Sequence, residues 1–253
     1  MIELPPPLWL PARPAIIRPA DAKLLRHEAS FMPGMFPAGV AASKAPPAIS
    51  YIGTTAIETD LTTYTFTNHA IGAADPTRRV VVSVNLGFSI ASGQTLLSAT
   101  IAGIAATIHV NMSGANVNAW ISALVPTGTT ANIVVTANGA NCRRCAVMVY
   151  RAVNETVTTP HQTVTDNTLT SATLSVAINI PAGGWVAAAA IFNGNATVTW
   201  VGVTEQYDLQ YAEVTIPRSG GFSSGLPAEA GRTVSATASL VPGASVLAAI
   251  SWG

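Results

Sequence analysis

The chain predicts an all-β fold, a jelly-roll-like antiparallel β-sandwich preceded by an extended proline-rich N-terminal arm, and three observations carry that reading. Apolar residues alternate with period two through much of residues 51–253. Turn-forming pairs interrupt the alternation about every ten to fifteen residues. Ten of the seventeen prolines fall within residues 1–50 (Pro5, Pro6, Pro7, Pro11, Pro14, Pro19, Pro33, Pro37, Pro46 and Pro47).

The arm comes first. Proline removes an amide donor and fixes φ, so a proline-studded stretch is neither strand nor long helix. Between the prolines stand Leu8, Trp9, Leu10, Ile16, Ile17, Phe31, Met35 and Phe36, which a solvated tail would avoid and which therefore read as partner-binding residues. Asp21 is placed to cap a short helix running to Ser30, and the run MPGMFPAGVAASKAPP then returns to linker chemistry, putting the boundary near residue 50. Ordering such an arm costs roughly 1 kcal/mol or more per residue, which a partner surface must offset.

From residue 51 onward strands are expected. Val80, Val82, Val84 and Leu86 alternate with Val81, Ser83 and Asn85; Ile104, Ala106, Ile108 and Val110 read as one strand; Leu174, Val176, Ile178 and Ile180 read as another. The runs CAVMVYRAV (145–153) and WVAAAAIF (185–192) are apolar on both faces and predict central strands covered on both sides. Residues 246–252 form a last strand, and residues 207–232 read as a long, weakly patterned loop containing Gly220, Gly221 and Gly225.

Composition narrows the function classes. Charged residues are 9% of the chain and hydrophobic ones 49%, with a formal net charge of zero. A neutral, lysine-poor surface argues against nucleic-acid binding, and suits packing against copies or neighbours. No apolar run approaches the ~20 residues that span a bilayer. Glu3 and the prolines after it do not make a secretory signal, so synthesis in the cytoplasm without membrane insertion is expected.

No catalytic constellation, metal site or cofactor motif is expected. Cys142 and Cys145 form a C-x-x-C without the βαβ setting of a redox pair or a second ligand pair for zinc. His27, His69, His109 and His161 are scattered, and a His161–Asp166–Ser triad is the kind of triple that a Ser- and Thr-rich chain offers by accident. Glu205, Tyr207, Asp208 and Tyr211 mix carboxylates with aromatics, and Glu213 lies just beyond. They read either as a strand end leaving the core or as a glycan-binding patch in which carboxylates bind hydroxyls and rings stack on sugars, with hydrolysis by paired carboxylates a remoter option. Trp120, Trp185, Trp200 and Trp252 sit among apolar neighbours and are expected in the core.

The stretches VPTGTTANIVVTANGANCRRCAVMVYRAV (125–153) and IPAGGWVAAAAIFNGNATVTWVGVTEQYD (180–208) resemble β-sandwich structural proteins of tailed phages, prophages and gene-transfer-agent-like particles. The resemblance implies a virion component, in head decoration or tail attachment, held as a homo-oligomer among other virion proteins by its N-terminal segment. Coiled-coil heptads and a collagen-like stalk are missing from the sequence, which speaks against a long fibre. The expectation is a non-enzymatic virion protein, with a host-surface glycan module as the alternative.

Overall fold

The computed structural model describes residues 45–253, apart from 89–92, 140–141, 156, 169 and 212–215. The arm residues Leu8, Trp9, Leu10, Ile16, Ile17, Phe31, Met35 and Phe36 and the helix expected after Asp21 lie outside the described residues.

Alternating and two-faced apolar runs become seventeen strands among the described residues. The first nine are β1 (Ala48–Ile57), β2 (Thr63–Ala70), β3 (Arg79–Phe88), β4 (Leu96–Ile101), β5 (Ile104–Ala105), β6 (Thr107–Asn111), β7 (Asn116–Leu124), β8 (Thr130–Ala137) and β9 (Cys142–Val153). The remaining eight are β10 (Gln162–Asp166), β11 (Thr173–Ile180), β12 (Gly184–Phe192), β13 (Val198–Val201), β14 (Thr204–Gln210), β15 (Pro217–Leu226), β16 (Glu229–Ala238) and β17 (Ser245–Trp252). Every strand pairing is antiparallel.

The strands make four sheets, ordered β1-β9-β3-β7-β6, β10-β17-β12-β15-β14, β2-β8-β4-β5 and β11-β16-β13. Replacing β1, β2, β3, β4, β6, β7, β8 and β9 by β10 to β17 in turn converts the first sheet into the second and the third into the fourth, with β5 alone lacking a counterpart. The chain is therefore two jelly rolls of one topology, residues 48–153 and 162–252, and the sandwich expected from the sequence is present in duplicate.

Three apolar cores show how the sheets stack. One joins the β2 sheet to the β1 sheet through Tyr64, Phe66, Val82, Ile121, Ile133 and Val147. A second joins the two five-stranded sheets, and a third joins the β10 sheet to the β11 sheet through Leu174, Ile178, Phe192, Val234 and Leu247. The two five-stranded sheets are thus inner layers. All residues of β3, β12 and β17 are buried, as the two-faced run predicted for β12, while β3, whose alternation predicted a half-buried strand, is covered on both faces.

At the seam between inner layers, bulk meets its absence. Trp120, Met148 and Tyr150 from the first jelly roll face Ala187, Ala189 and Ala248 from the second, so the sheets approach closely while the volume stays filled. Three side chains also reach across to backbone: Asn118 Nδ2 donates to Ala189 O at 2.7 Å, Trp120 Nε1 to Ala248 O at 3.2 Å, and Tyr211 Oη to Asn85 O at 3.3 Å.

Two expectations need correction. Residues 104–110 are not one strand: the chain leaves the outer sheet after β5 and joins the inner sheet as β6. His109 is the extra residue of a β-bulge between Ile108 and Val110, so Ile108 packs into the first core and Val110 into the seam. Residues 207–232, read as a loop, are largely β14, β15 and the start of β16. Two of the glycines that suggested a loop are packing sites: a Cβ on Gly220 would lie 2.7 Å from Ala188 O and press on the Tyr207 ring, and one on Gly221 would strike the Thr204 carbonyl.

Because the two jelly rolls share the seam, calorimetry is expected to show one unfolding transition. Trp120→Ala should cost about 3–5 kcal/mol through the cavity it leaves, lowering the single Tm by on the order of 10 °C. Two transitions, with only one shifted, would contradict a shared core.

Candidate functional site

The patch predicted from Glu205, Tyr207, Asp208 and Tyr211 is divided by the alternation of β14 and the segment after it. Tyr207 and Tyr211 point into the seam and are only 6% and 4% exposed. The Tyr207 ring stacks on Tyr51 at 5.6 Å between centroids, and its hydroxyl lies near those of Tyr150 and Ser83 without a well-formed hydrogen bond. The Arg218 guanidinium covers Tyr211 at 3.9 Å, with Arg144 at 5.3 Å. Burial pushes both phenols well above their ordinary range. Glu205 lies exposed, whereas Asp208 is half-buried and accepts from Val198 N at 3.0 Å. Desolvation raises both carboxyls, and Asp208 adds to the rise at Glu205. The four residues do not share a surface, and the two rings offer no open face to a sugar.

Other sequence candidates take structural places. Cys142 and Cys145 are both free and buried, and burial raises both thiols. Asp166 spends its carboxylate on Thr168 N at 2.9 Å, Thr168 Oγ1 at 2.7 Å and Ser175 N at 2.8 Å, which fixes the turn after β10. Trp120, Trp185 and Trp252 are fully buried, and Trp200 is half-buried with Nε1 donating to Ser219 Oγ at 2.7 Å. Among the described residues no group of three or more His, Cys, Asp or Glu is placed to hold a metal ion.

A constellation that sequence reasoning missed lies at one end of the seam. Arg78 and Arg79 open β3 and point to opposite sides. Arg78 is saturated by backbone: Nε donates to Val125 O at 2.7 Å, and the two terminal nitrogens donate to Gly72 O and Thr127 O, each at 2.6 Å. Arg79, 5% exposed, donates from Nη1 to Ser122 Oγ at 3.3 Å, while its buried Nε has no acceptor. Ser122 Oγ is also 2.8 Å from His109 Nε2, and the imidazole meets Trp252 edge-on at 5.0 Å. Glu155, 2% exposed, follows β9 and favours the charge on Arg79.

Arg79, Ser122 and Glu155 line a cavity of about 430 Å³, within the usual size range of small-molecule pockets. Pro76, Thr77, Ile104, Ala105, Thr107, Ala123, Leu124 and Thr158 complete the wall. Burial, reinforced by the Arg79 charge, holds His109 down to about 4. So weak a base drives little proton transfer from Ser122 at neutral pH, and His109 serves to hold the Ser122 hydroxyl of the cavity wall in place. The available signal was two arginines and one glutamate flanking predominantly apolar strands in a chain so poor in charge.

The depressed His109 sets a pH dependence. Its folded value of about 4 lies below the ordinary 6.5, so the unfolded chain binds the proton first. The stability it contributes is full above pH 6.5 and lost as pH falls toward 4. The Tm of His109→Gln, followed from pH 7.5 to 4, should fall less than that of the native chain; parallel curves would show that His109 does not titrate this way. Both cysteines should also resist a thiol reagent in the native protein at pH 8 and react fully once it is denatured.

Neither the known protein families nor the curated proteins include a match to this chain. Among solved structures it is similar to dimeric latent PorU from Porphyromonas gingivalis, at 10% identity and a TM-score of 0.30. The match covers 82% of this chain and 22% of that one.

Proposed function

We propose that the chain is a structural component of a phage or phage-like virion, in head decoration or tail attachment, made in the host cytoplasm and held among other virion proteins by residues 1–50. The observation that supports this most is the pairing of a stiff, charge-poor double jelly roll with a proline-rich apolar segment that precedes β1. Jelly rolls recur in capsid and lectin domains, an analogy of fold that raises the prior without assigning a role.

The surface fits a neighbour-contacting block. Two ion pairs, Arg151–Asp75 at 3.9 Å and Arg232–Glu229 at 2.8 Å, stand among the described residues. Leu97, Val201, Leu240 and Val241 are 57–76% exposed. Neighbouring chains in an assembly would cover such side chains. The role is mechanical rather than catalytic: the arm inserts Leu8, Trp9, Leu10, Ile16, Ile17, Phe31, Met35 and Phe36 into partner grooves, and its prolines lower the entropy lost on docking.

Removing residues 1–45 spares every strand among the described residues and should leave a folded protein with an unchanged Tm. In light scattering the full-length chain should form homo-oligomers or larger assemblies and the shortened chain a monomer or small ring, and the shortened chain should no longer enter particles. Identical monomers, or normal incorporation without the arm, would refute the anchor.

A further inference from the structure

We propose that the groove between β1 and β2 receives the N-terminal arm of a second copy of this chain, with residues 15–18 added as a short strand on the β2 edge. The inference rests on the reading of the arm as an anchor and names the surface that takes it.

The two jelly rolls differ at this place. β1 and β2 are edge strands of the two sheets of the first, as β10 and β11 are of the second. In the second, side chains of β10 seal the gap: Asp166 Oδ2 accepts from Ser175 N at 2.8 Å, and Gln162 Oε1 accepts from Asn179 N at 2.5 Å. The strand registers put Thr55 in the place of Asp166 and Ser50 in the place of Gln162. Ser50 Oγ turns back to Arg151 O at 3.5 Å, and among the described residues no hydrogen bond joins β1 to β2. A groove of about 510 Å³ remains, with Ile52, Thr55 and Ile57 on one side and Thr65, Thr67 and His69 on the other.

What the groove offers is backbone. Thr63 pairs with Thr136 as Thr173 does with Thr237, their hydroxyls 3.2 and 3.1 Å apart, so Thr65 corresponds to Ser175 and its N–H faces the edge. Thr65 and Thr67 are exposed, and β2 carries no Asp, Glu, Lys, Arg or Pro to turn away a further strand. An open strand edge is complementary to another extended backbone. No Asp, Glu, Lys or Arg lines the groove, which suits an apolar occupant.

The arm contains a segment of that kind. Ile16 and Ile17 form a β-branched pair between Pro14 and Pro19. Prolines at the two ends limit the pairing without interrupting it, and alternation turns one isoleucine into the groove. Residues 19–47, if extended, span on the order of 90 Å, enough to reach a neighbour. Folding back onto the same chain is disfavoured: Pro46 O accepts from Asn154 Nδ2 at 3.3 Å, and the consecutive Pro46 and Pro47 do not make the tight hairpin that would lay the arm along its own β1. One short strand binds weakly, and arms from several copies add avidity.

The test is oxidative cross-linking of full-length chains, in which the buried Cys142 and Cys145 stay silent. An untagged chain carrying Ile16→Cys or Ile17→Cys is mixed with a size-tagged chain carrying Thr67→Cys. A disulfide between the two chains should form for at least one arm position, and Ala177→Cys, at the place of Thr67 on β11, should give about tenfold less. Thr55→Asp, which supplies the carboxylate that Asp166 supplies on β10, should close the edge and lower the yield by a similar factor. Thr55 is exposed, so that variant should keep its Tm. Equal yields with Ala177→Cys, a yield untouched by Thr55→Asp, or bonding only within one chain when both cysteines are placed in it would each overturn the proposal. So would the lack of any cross-link: with assembly still dependent on residues 1–45 the arm would dock elsewhere, whereas identical monomers with and without those residues would remove the anchor reading as well.

Discussion

The seam between the two inner sheets is the constraint on which the rest of the molecule depends. A jelly roll with one solvated face per sheet is complete alone, but here each inner sheet is apolar on both faces and must be covered twice. Trp120, Met148 and Tyr150 supply volume from one side and the alanines of β12 and β17 supply space on the other. The bulky residues would find no room in a sheet facing its own copy, and the alanines would leave voids against small neighbours. The two halves therefore hold one another in a specific order, with Asn118 and Trp120 fixing the offset through carbonyls of β12 and β17.

Glycine and charge follow from the same constraint. β15 lies beside β12, close beneath the Tyr207 ring, so Gly220 and Gly221 occupy places where a Cβ would collide with backbone. Their conformational cost is borne by a strand tied to both β12 and β14. Charges inside so apolar a body survive where backbone, an aromatic ring or a counter-charge receives them: Arg78 on three carbonyls, Arg218 over Tyr211, Arg79 beside Glu155.

Much of the fold was legible because burial writes directly on the pattern. The two-faced runs of β9 and β12 marked inner strands, and the strict alternation of β11 marked an outer strand with one wet face, whereas the alternation in β3 hid an inner strand because Ser83 and Asn85 are buried on its second face. The duplication was not legible, since the two jelly rolls share strand order rather than wording: WVAAAAIF in β12 occupies the place of VVVSVNLGF in β3. Residues 207–232 misled because Gly and Ser signal turns locally, whereas here tight sheet packing requires them. The cavity was invisible for a topological reason. Ser122 is 43 residues from Arg79 and 13 from His109, and a bulge at His109, which has no sequence signature, turns the ring toward Ser122.

Equivalent positions in the two jelly rolls explain why the cavity stands at one end of the molecule. Arg79 in β3 and Trp185 in β12 are each the first residue of their strand to face the seam, and Ala152 in β9 corresponds to Trp252 in β17. The second jelly roll fills its corner with the Trp185–Trp252 pair, whose ring centroids are 4.9 Å apart. The first puts a guanidinium and a methyl group in the same two places. One corner is closed with aromatic volume, and the other keeps polar groups around an open space. The Trp252 ring from the closed corner then backs His109, and His109 in turn meets Ser122 in the cavity wall. The symmetry of the two halves is thus broken at this corner, where Arg79 in the cavity wall stands at the place that Trp185 takes in the second jelly roll.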